Sequence, residues 1–190
     1  MAATPQISEL WLLPVLEAML QQFPFTIRGF HSDNGSEFIN YTVARLLGKP
    51  LIEQTRSRAH HSGDNGLVES KNGAIIRKPI GYDYIGAQHA EAMDQFHREH
   101  LNPYVNFHRP CAVPKVLTAA NGKRRRIYQR WATPWELFRE LPNCQGFLRP
   151  DINLAELERF AQRQSDTEAA LAMQHAKRKL LGNIKKKQTA

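Results

Sequence analysis

Apolar residues recur along the chain with two different periods. In residues 7–22, ISELWLLPVLEAMLQQ, they fall at helical spacing, and Ile7, Leu10, Trp11, Val15 and Ala18 share one expected inner face. Pro14 lies inside that run, so a kink or a broken first turn is expected. Residues 25–32, FTIRGFHS, follow Pro24 and read as a short strand. Helical spacing returns in residues 36–47, with Ile39, Val43, Leu46 and Leu47 inward and Gly48 as the stop. PLIEQTR then reads as a second strand. Strand, helix and strand with a short return make a parallel βαβ unit. Ligands of such sheets gather at the carboxyl ends of the strands, and Asp33 stands at such an end.

The rest of the chain is more helical. HSGDNGLVESKNGAIIRK, residues 61–78, opens on a turn at Gly63–Gly66, and Asp64 or Asn65 is placed to cap a helix running to about Pro79. AQHAEAMDQFHREHL, residues 87–101, reads as another helix, which the prolines of NPYVNFHRPCAVP are expected to end. NGKRRRIYQR, residues 121–130, is a basic loop or strand. In TPWELFREL, Thr133 is the cap and Pro134 occupies the first turn of a short helix. Residues 152–182 read as mostly helical.

Composition narrows the class. The chain has 190 residues, enough for one domain with a core plus extensions. Mean hydropathy is −0.52 and no apolar run is long enough to span a bilayer, so a soluble protein is expected. MAATPQ lacks the basic and apolar regions of a signal peptide. Cys111 and Cys144 show no framework spacing, which fits a reducing compartment. The formal charge of +8 is unevenly placed: residues 1–120 carry 11 Lys+Arg and 11 Asp+Glu, residues 121–190 carry 15 and 7. A basic tail on a neutral body points to an anionic partner, most simply nucleic acid, against the plainer reading of a solubilising tail.

The acids carry the most specific signal. Between Asp33 and Glu69 lie 35 residues, and DNG occurs at both Asp33 and Asp64. An aspartate after a strand, a glutamate on a helix and this D-x35-E spacing resemble the second half of the DDE signature of transposases and retroviral integrases. GFHSDNGSEFIN, SRAHHSGDNGLVESKNG, NPYVNFHRPC and YQRWATPWELFREL are similar to segments of the integrase-core transposases of bacterial insertion sequences. The similarity runs from about Ile7 to Lys187, and the combination is specific where any one piece is weak.

That resemblance implies an α/β fold: a partial ribonuclease H-like integrase core over residues 1–115, followed by a basic, largely helical C-terminal region over residues 116–190. It implies Asp33 and Glu69 as catalytic metal ligands, with Mg²⁺ or Mn²⁺ as cofactor. Two such ions roughly 4 Å apart activate the attacking water or 3′-hydroxyl and neutralise charge on the phosphate, and hard ions of this kind take carboxylate oxygen. It implies backbone contacts to DNA from Lys71, Asn72, Arg77 and Lys78; Lys123, Arg124, Arg125 and Arg126 are further candidates for phosphate. The expected partners are the ends of the insertion sequence and target DNA, together with further copies of the chain or a full-length transposase. The expected place is the cytoplasm, on the nucleoid when DNA is bound, with no membrane.

One acid of the triad is lacking. The acids before Asp33 are Glu9 and Glu17, both in the helical segment. The family pattern places three strands ahead of the helix near Ile7, so the chain reads as the C-terminal part of a transposase, inactive or nearly so alone. The strand edge left open by a missing neighbour would favour association. The alternative is a non-catalytic protein that binds DNA or interferes with a full-length transposase.

Other residues have plainer roles. Glu37 reads as a first-turn acid favourable to its helix dipole, and His31 and Ser32 as supporting or packing residues beside Asp33. His60 and His61 precede the Glu69 helix and read equally as part of an active-site loop or of a loop with no chemistry. His97, His100, His108 and Cys111 form H-x2-H-x7-H-x2-C, which superficially suggests zinc, although the prolines favour a structural turn. Trp131 and Trp135 read as parts of a small core, with base stacking as the alternative.

Overall fold

The computed structural model describes residues 1–6, 8–33, 41–48, 52–58, 61–66 and 72–188. It is mixed α/β and divides into two compact units, Met1–Arg98 with Lys177–Ala190, and Glu99–Ala176.

In the first unit α1 (Glu9–Gln22) precedes β1 (Gly29–Ser32), α2 (Tyr41–Gly48) and β2 (Glu53–Arg56). β1 and β2 pair in parallel, Gly29 opposite Glu53 and Ser32 opposite Arg56, so the βαβ unit expected from the alternating periods is present. Among the described residues this sheet has two strands. Its core is Leu16, Val43, Leu47 and Ile52, flanked by Leu12, Leu13, Met19, Leu20, Ile27, Phe30 and Leu46. The α2 face agrees with the periodicity at Val43, Leu46 and Leu47; Ile39 lies outside the described residues.

The expected face of α1 is corrected. Leu10 and Trp11 are exposed, Val15 and Ala18 are half-buried, and Leu16 is the fully buried position; Ile7 lies outside the described residues. ELWLLPVL is apolar almost all round, so helical spacing alone supports more than one stripe. Packing against Val43 and Leu47 selects Leu12, Leu13, Leu16, Met19 and Leu20. Pro14 sits within a continuous helix, on its exposed side.

A π-helical turn, Gly73–Arg77, runs into α3 (Lys78–Ile80). Gly81 ends it at φ 108°, a backbone conformation that L side chains rarely adopt. α4 (Ala90–Phe96) follows, with Met93 and Phe96 buried.

His97 is buried, and neither ring nitrogen has a hydrogen-bond partner among the described residues. Burial above all, and then the nearby N-terminal ammonium, push its pKa down to about 4 against the opposing pull of Asp94. The unfolded chain takes up this proton near the ordinary histidine value of about 6.5. Between those two values the unfolded state binds more protons, so stability falls as pH falls, by up to about 1.4 kcal/mol per pH unit. Urea unfolding at stepped pH should show this loss beginning below about 6.5, and His97→Leu should flatten it. An unchanged pH slope in that variant would assign the loss to other groups.

Pro103 does not end the helical course as expected; it runs on to His108, just ahead of Pro110. Pro103 has φ −58° and ψ −47°, and π-helical turns span His97–Leu101 and Tyr104–His108. Proline lacks an N–H and crowds the carbonyl one turn back, and π-turns are a recurrent way for helices to absorb such an interruption.

The second unit contains an antiparallel hairpin, β3 (Cys111–Thr118) and β4 (Arg124–Ala132). The basic stretch is therefore a strand, and its partner β3 was not anticipated because Pro114 argues against one. Pro114 is accommodated at a register shift between Val113 and Pro114. The tip turns at Ala119–Gly122, where the Gly122 N–H donates to the Ala119 carbonyl at 2.8 Å and Gly122 takes φ 77°.

α5 (Pro134–Arg139) starts as its sequence indicates, on a capping box: Thr133 Oγ1 accepts from the Glu136 N–H at 3.1 Å, and Glu136 Oε2 accepts from the Thr133 N–H at 2.7 Å. Trp135 is buried against Phe107 and Phe138, ring centroids 5.6 and 5.9 Å away. Trp131, grouped with it from the sequence, is instead 68% exposed. The helical stretch expected over residues 152–182 is two helices, α6 (Leu154–Ala161) and α7 (Asp166–Gln188). Ser165 marks the restart, with its N–H and hydroxyl both donating to Glu168 Oε2 at 2.8 Å. Among the described residues no helix is long and apolar enough to cross a membrane.

Candidate functional site

Asp33 directly follows β1, at the carboxyl end of a parallel pair, and its side chain is exposed. The strand ends beside it are tied together. The Ser57 N–H donates to the Ser32 carbonyl at 3.0 Å. The ring of His31, a β1 residue, reaches across to the β2 side, its Nδ1 2.9 Å from Thr55 Oγ1 and its Nε2 3.2 Å from Ser57 Oγ. His31 thus takes the supporting place its sequence position suggests, while nothing in the sequence marks Thr55 and Ser57 as its partners. The parallel register is what brings them to it, since His31 lies opposite Thr55.

Glu69 and Lys71 lie outside the described residues, as do Glu37 and His60. Asn72 is helical and exposed. Arg77 and Lys78 follow on the same helical course, both exposed, with the Arg77 guanidinium 5.8 Å from the centre of the Tyr82 ring. That distance is within the range of a cation–π contact. His61 is exposed.

Asp64 has a role that its reading as a helix cap did not foresee. Its Oδ2 accepts from the Arg58 backbone N–H at 2.9 Å and from Arg58 Nε at 3.1 Å, and its Oδ1 accepts from the remaining guanidinium arm at 2.9 Å. These bonds, the side-chain ones foremost, hold the Asp64 carboxyl well below the usual carboxylate range. The link closes the loop after β2, ahead of the segment that carries Glu69.

The chemistry of Asp33 fits a hard divalent cation: an accessible carboxylate at the end of a parallel strand. Glu9 and Glu17 both lie in α1, and neither directly follows a strand. Among the described residues no three His, Cys, Asp or Glu side chains gather as a metal cluster. In the second unit His108 Nδ1 is 3.1 Å from Asp166 Oδ1, and Cys111 Sγ donates to the Ala132 carbonyl at 3.3 Å. Two of the four members of the superficial zinc pattern, His108 and Cys111, thus have other partners.

The basic candidates Lys123, Arg124, Arg125 and Arg126 are exposed at the tip and along the outer half of β4. None of the four forms an ion pair among the described residues. Arg130, nearer the base of β4, does: both of its terminal nitrogens donate to the Glu140 carboxylate.

No protein-family model matches the chain. It is similar to y4rM, an uncharacterized protein of Sinorhizobium fredii (strain NBRC 101917 / NGR234), at 37% identity over 113 residues. That stretch is 59% of this chain and 31% of the relative, so the chain spans about a third of the length of the curated protein it matches.

Proposed function

We propose that this chain belongs to an integrase-core transposase and carries two of its three metal-binding acids, Asp33 and Glu69, on a partial ribonuclease H-like core. The observation that carries the reading is the position of Asp33. It follows a strand paired in parallel through a helical crossover, and it precedes Glu69 by the spacing of an integrase-type site. The tie between His31, Thr55 and Ser57 supports the same reading, because it fixes the strand ends from which the carboxylate projects. Asp33 and Glu69 would hold Mg²⁺ or Mn²⁺, which when bound supplies charge neutralisation at a phosphodiester and an activated water or 3′-hydroxyl. Asn72, Arg77 and Lys78, with Lys71, would position the DNA backbone. With two carboxylates in the chain, its own strand cleavage is expected to be slight. Further copies and a longer transposase are the expected partners, and of the two the longer transposase would bring the third acid.

The exposed cations of the hairpin support a second reading, a DNA-binding protein without catalysis that competes with a complete transposase. A Mn²⁺ titration followed by electron paramagnetic resonance separates the two. The first reading expects Mn²⁺ binding that Glu69→Gln weakens, together with retardation of duplex DNA in a gel. DNA retardation with Mn²⁺ binding indifferent to Glu69→Gln leaves only the second reading. Failure of the chain to bind DNA at all would remove both.

A further inference from the structure

The hairpin presents cations on both of its faces. Directly paired residues of an antiparallel ribbon share a face. Thr118–Arg124, Val116–Arg126 and Pro114–Tyr128 therefore lie on one side, and Leu117–Arg125 and Lys115–Ile127 on the other. One face carries Arg124 and Arg126, the other Arg125 and Lys115. All four side chains are exposed, and none is ion-paired among the described residues. No acid occurs from Leu101 to Trp135, so the ribbon holds no carboxylate of its own to neutralise them.

A ribbon that docks flat on a surface needs charge on one side only. Cations on both sides fit a cleft whose two walls are anionic. The major groove of B-form DNA is such a cleft: about 12 Å wide, it admits a two-stranded ribbon and is flanked on both sides by phosphates. Strands of 8 and 9 residues extend roughly 26–30 Å at about 3.3 Å per residue, ample to cross it. The deep, narrow major groove of A-form RNA does not admit side chains in this way. Exposed Tyr128, on the face of Arg124 and Arg126, adds apolar area toward the groove.

We propose that the hairpin Cys111–Ala132 enters the major groove of duplex DNA, with Arg124 and Arg126 against the phosphates of one wall and Lys115 and Arg125 against those of the other. The inference rests on the DNA-binding part of the reading above and makes no use of Asp33 or of a metal.

The test is fluorescence anisotropy of the full chain with a labelled duplex over a series of salt concentrations. The variants are Arg124→Ala with Arg126→Ala, and Lys115→Ala with Arg125→Ala, circular dichroism confirming that each folds. Each pair should weaken duplex binding about tenfold or more and lower the slope of log affinity against log salt by roughly 1.8, at about 0.9 for each phosphate no longer neutralised. Methylation of guanine N7, which faces the major groove, should interfere with binding of the unaltered chain. Weakened binding in one pair alone would mean a ribbon lying flat outside the duplex, and the proposal fails. Undiminished affinity in both variants, indifference to N7 methylation, or equal affinity for single strands or duplex RNA overturns it as well, while DNA binding itself survives. Absence of DNA binding by the unaltered chain would sink the broader reading along with it.

Discussion

Asp33→Asn is expected to weaken Mn²⁺ binding by the full chain at least tenfold, about 1.4 kcal/mol, while leaving its affinity for duplex DNA unchanged. Asparagine keeps the volume of aspartate and one oxygen of the pair but loses the charge. Hard cations depend on that charge to offset the loss of their water shell. Glu69 is the other carboxylate of the proposed site, so Asp33 supplies half of its anionic ligands. The side chain is exposed just past β1, so the near-isosteric substitution opens no cavity in the core and the variant should fold. DNA affinity should hold because the exposed cations of the hairpin belong to the other compact unit. The measurement is a Mn²⁺ titration by electron paramagnetic resonance beside a gel retardation assay. Equal Mn²⁺ affinity in both proteins would put the ion elsewhere and end the metal reading at Asp33.

Leu47→Ala should destabilise the first unit by roughly 2–5 kcal/mol, the range for truncating a buried leucine. Leu47 is 1% exposed and packs with Leu16, Val43 and Ile52. Its carbonyl also accepts from the Ile52 N–H at 2.9 Å, fastening the end of α2 to the chain entering β2. A loss of this size is a large fraction of the ~5–15 kcal/mol by which folded proteins exceed their unfolded states. It would reach function through geometry, because α2 is the crossover that holds β1 and β2 parallel with Asp33 at their end. Urea unfolding measures it. Leu10→Ala is the control: at 77% exposure it should change stability by no more than about 0.5 kcal/mol. A cost at Leu10 as large as the one expected at Leu47 would mean that the buried face of α1 is not the one containing Leu16.

Much of the local structure was legible in the residues. Thr133, Pro134 and Glu136 announce a helix start, and the structure has a capping box there. Val43, Leu46 and Leu47 mark the inner face of α2 because that helix has polar residues between its apolar ones. The alternation of strand and helix spacing around Asp33 was enough for a parallel βαβ unit, since a short return leaves few other topologies. α1 was less legible because an almost wholly apolar segment supports several stripes, and only its neighbour chooses among them. β3 was hidden by Pro114, whose effect on pairing depends on the register shift beside it.

The candidate site divides along the same line. Sequence by itself determined the acids and their spacing, the absence of a strand-borne acid before Asp33, and the concentration of cations beyond residue 120, because these are properties of order and charge. Only the tertiary structure decided which of those groups are available. It ties His31 to Thr55 and Ser57, engages Asp64 with Arg58, and pairs Arg130 with Glu140. It leaves Arg124, Arg125 and Arg126 on opposite faces of one ribbon, exposed to a partner. The physical reason is that hydrogen bonds and ion pairs are made across strand registers and loops, between residues whose separation along the chain does not record their distance in space.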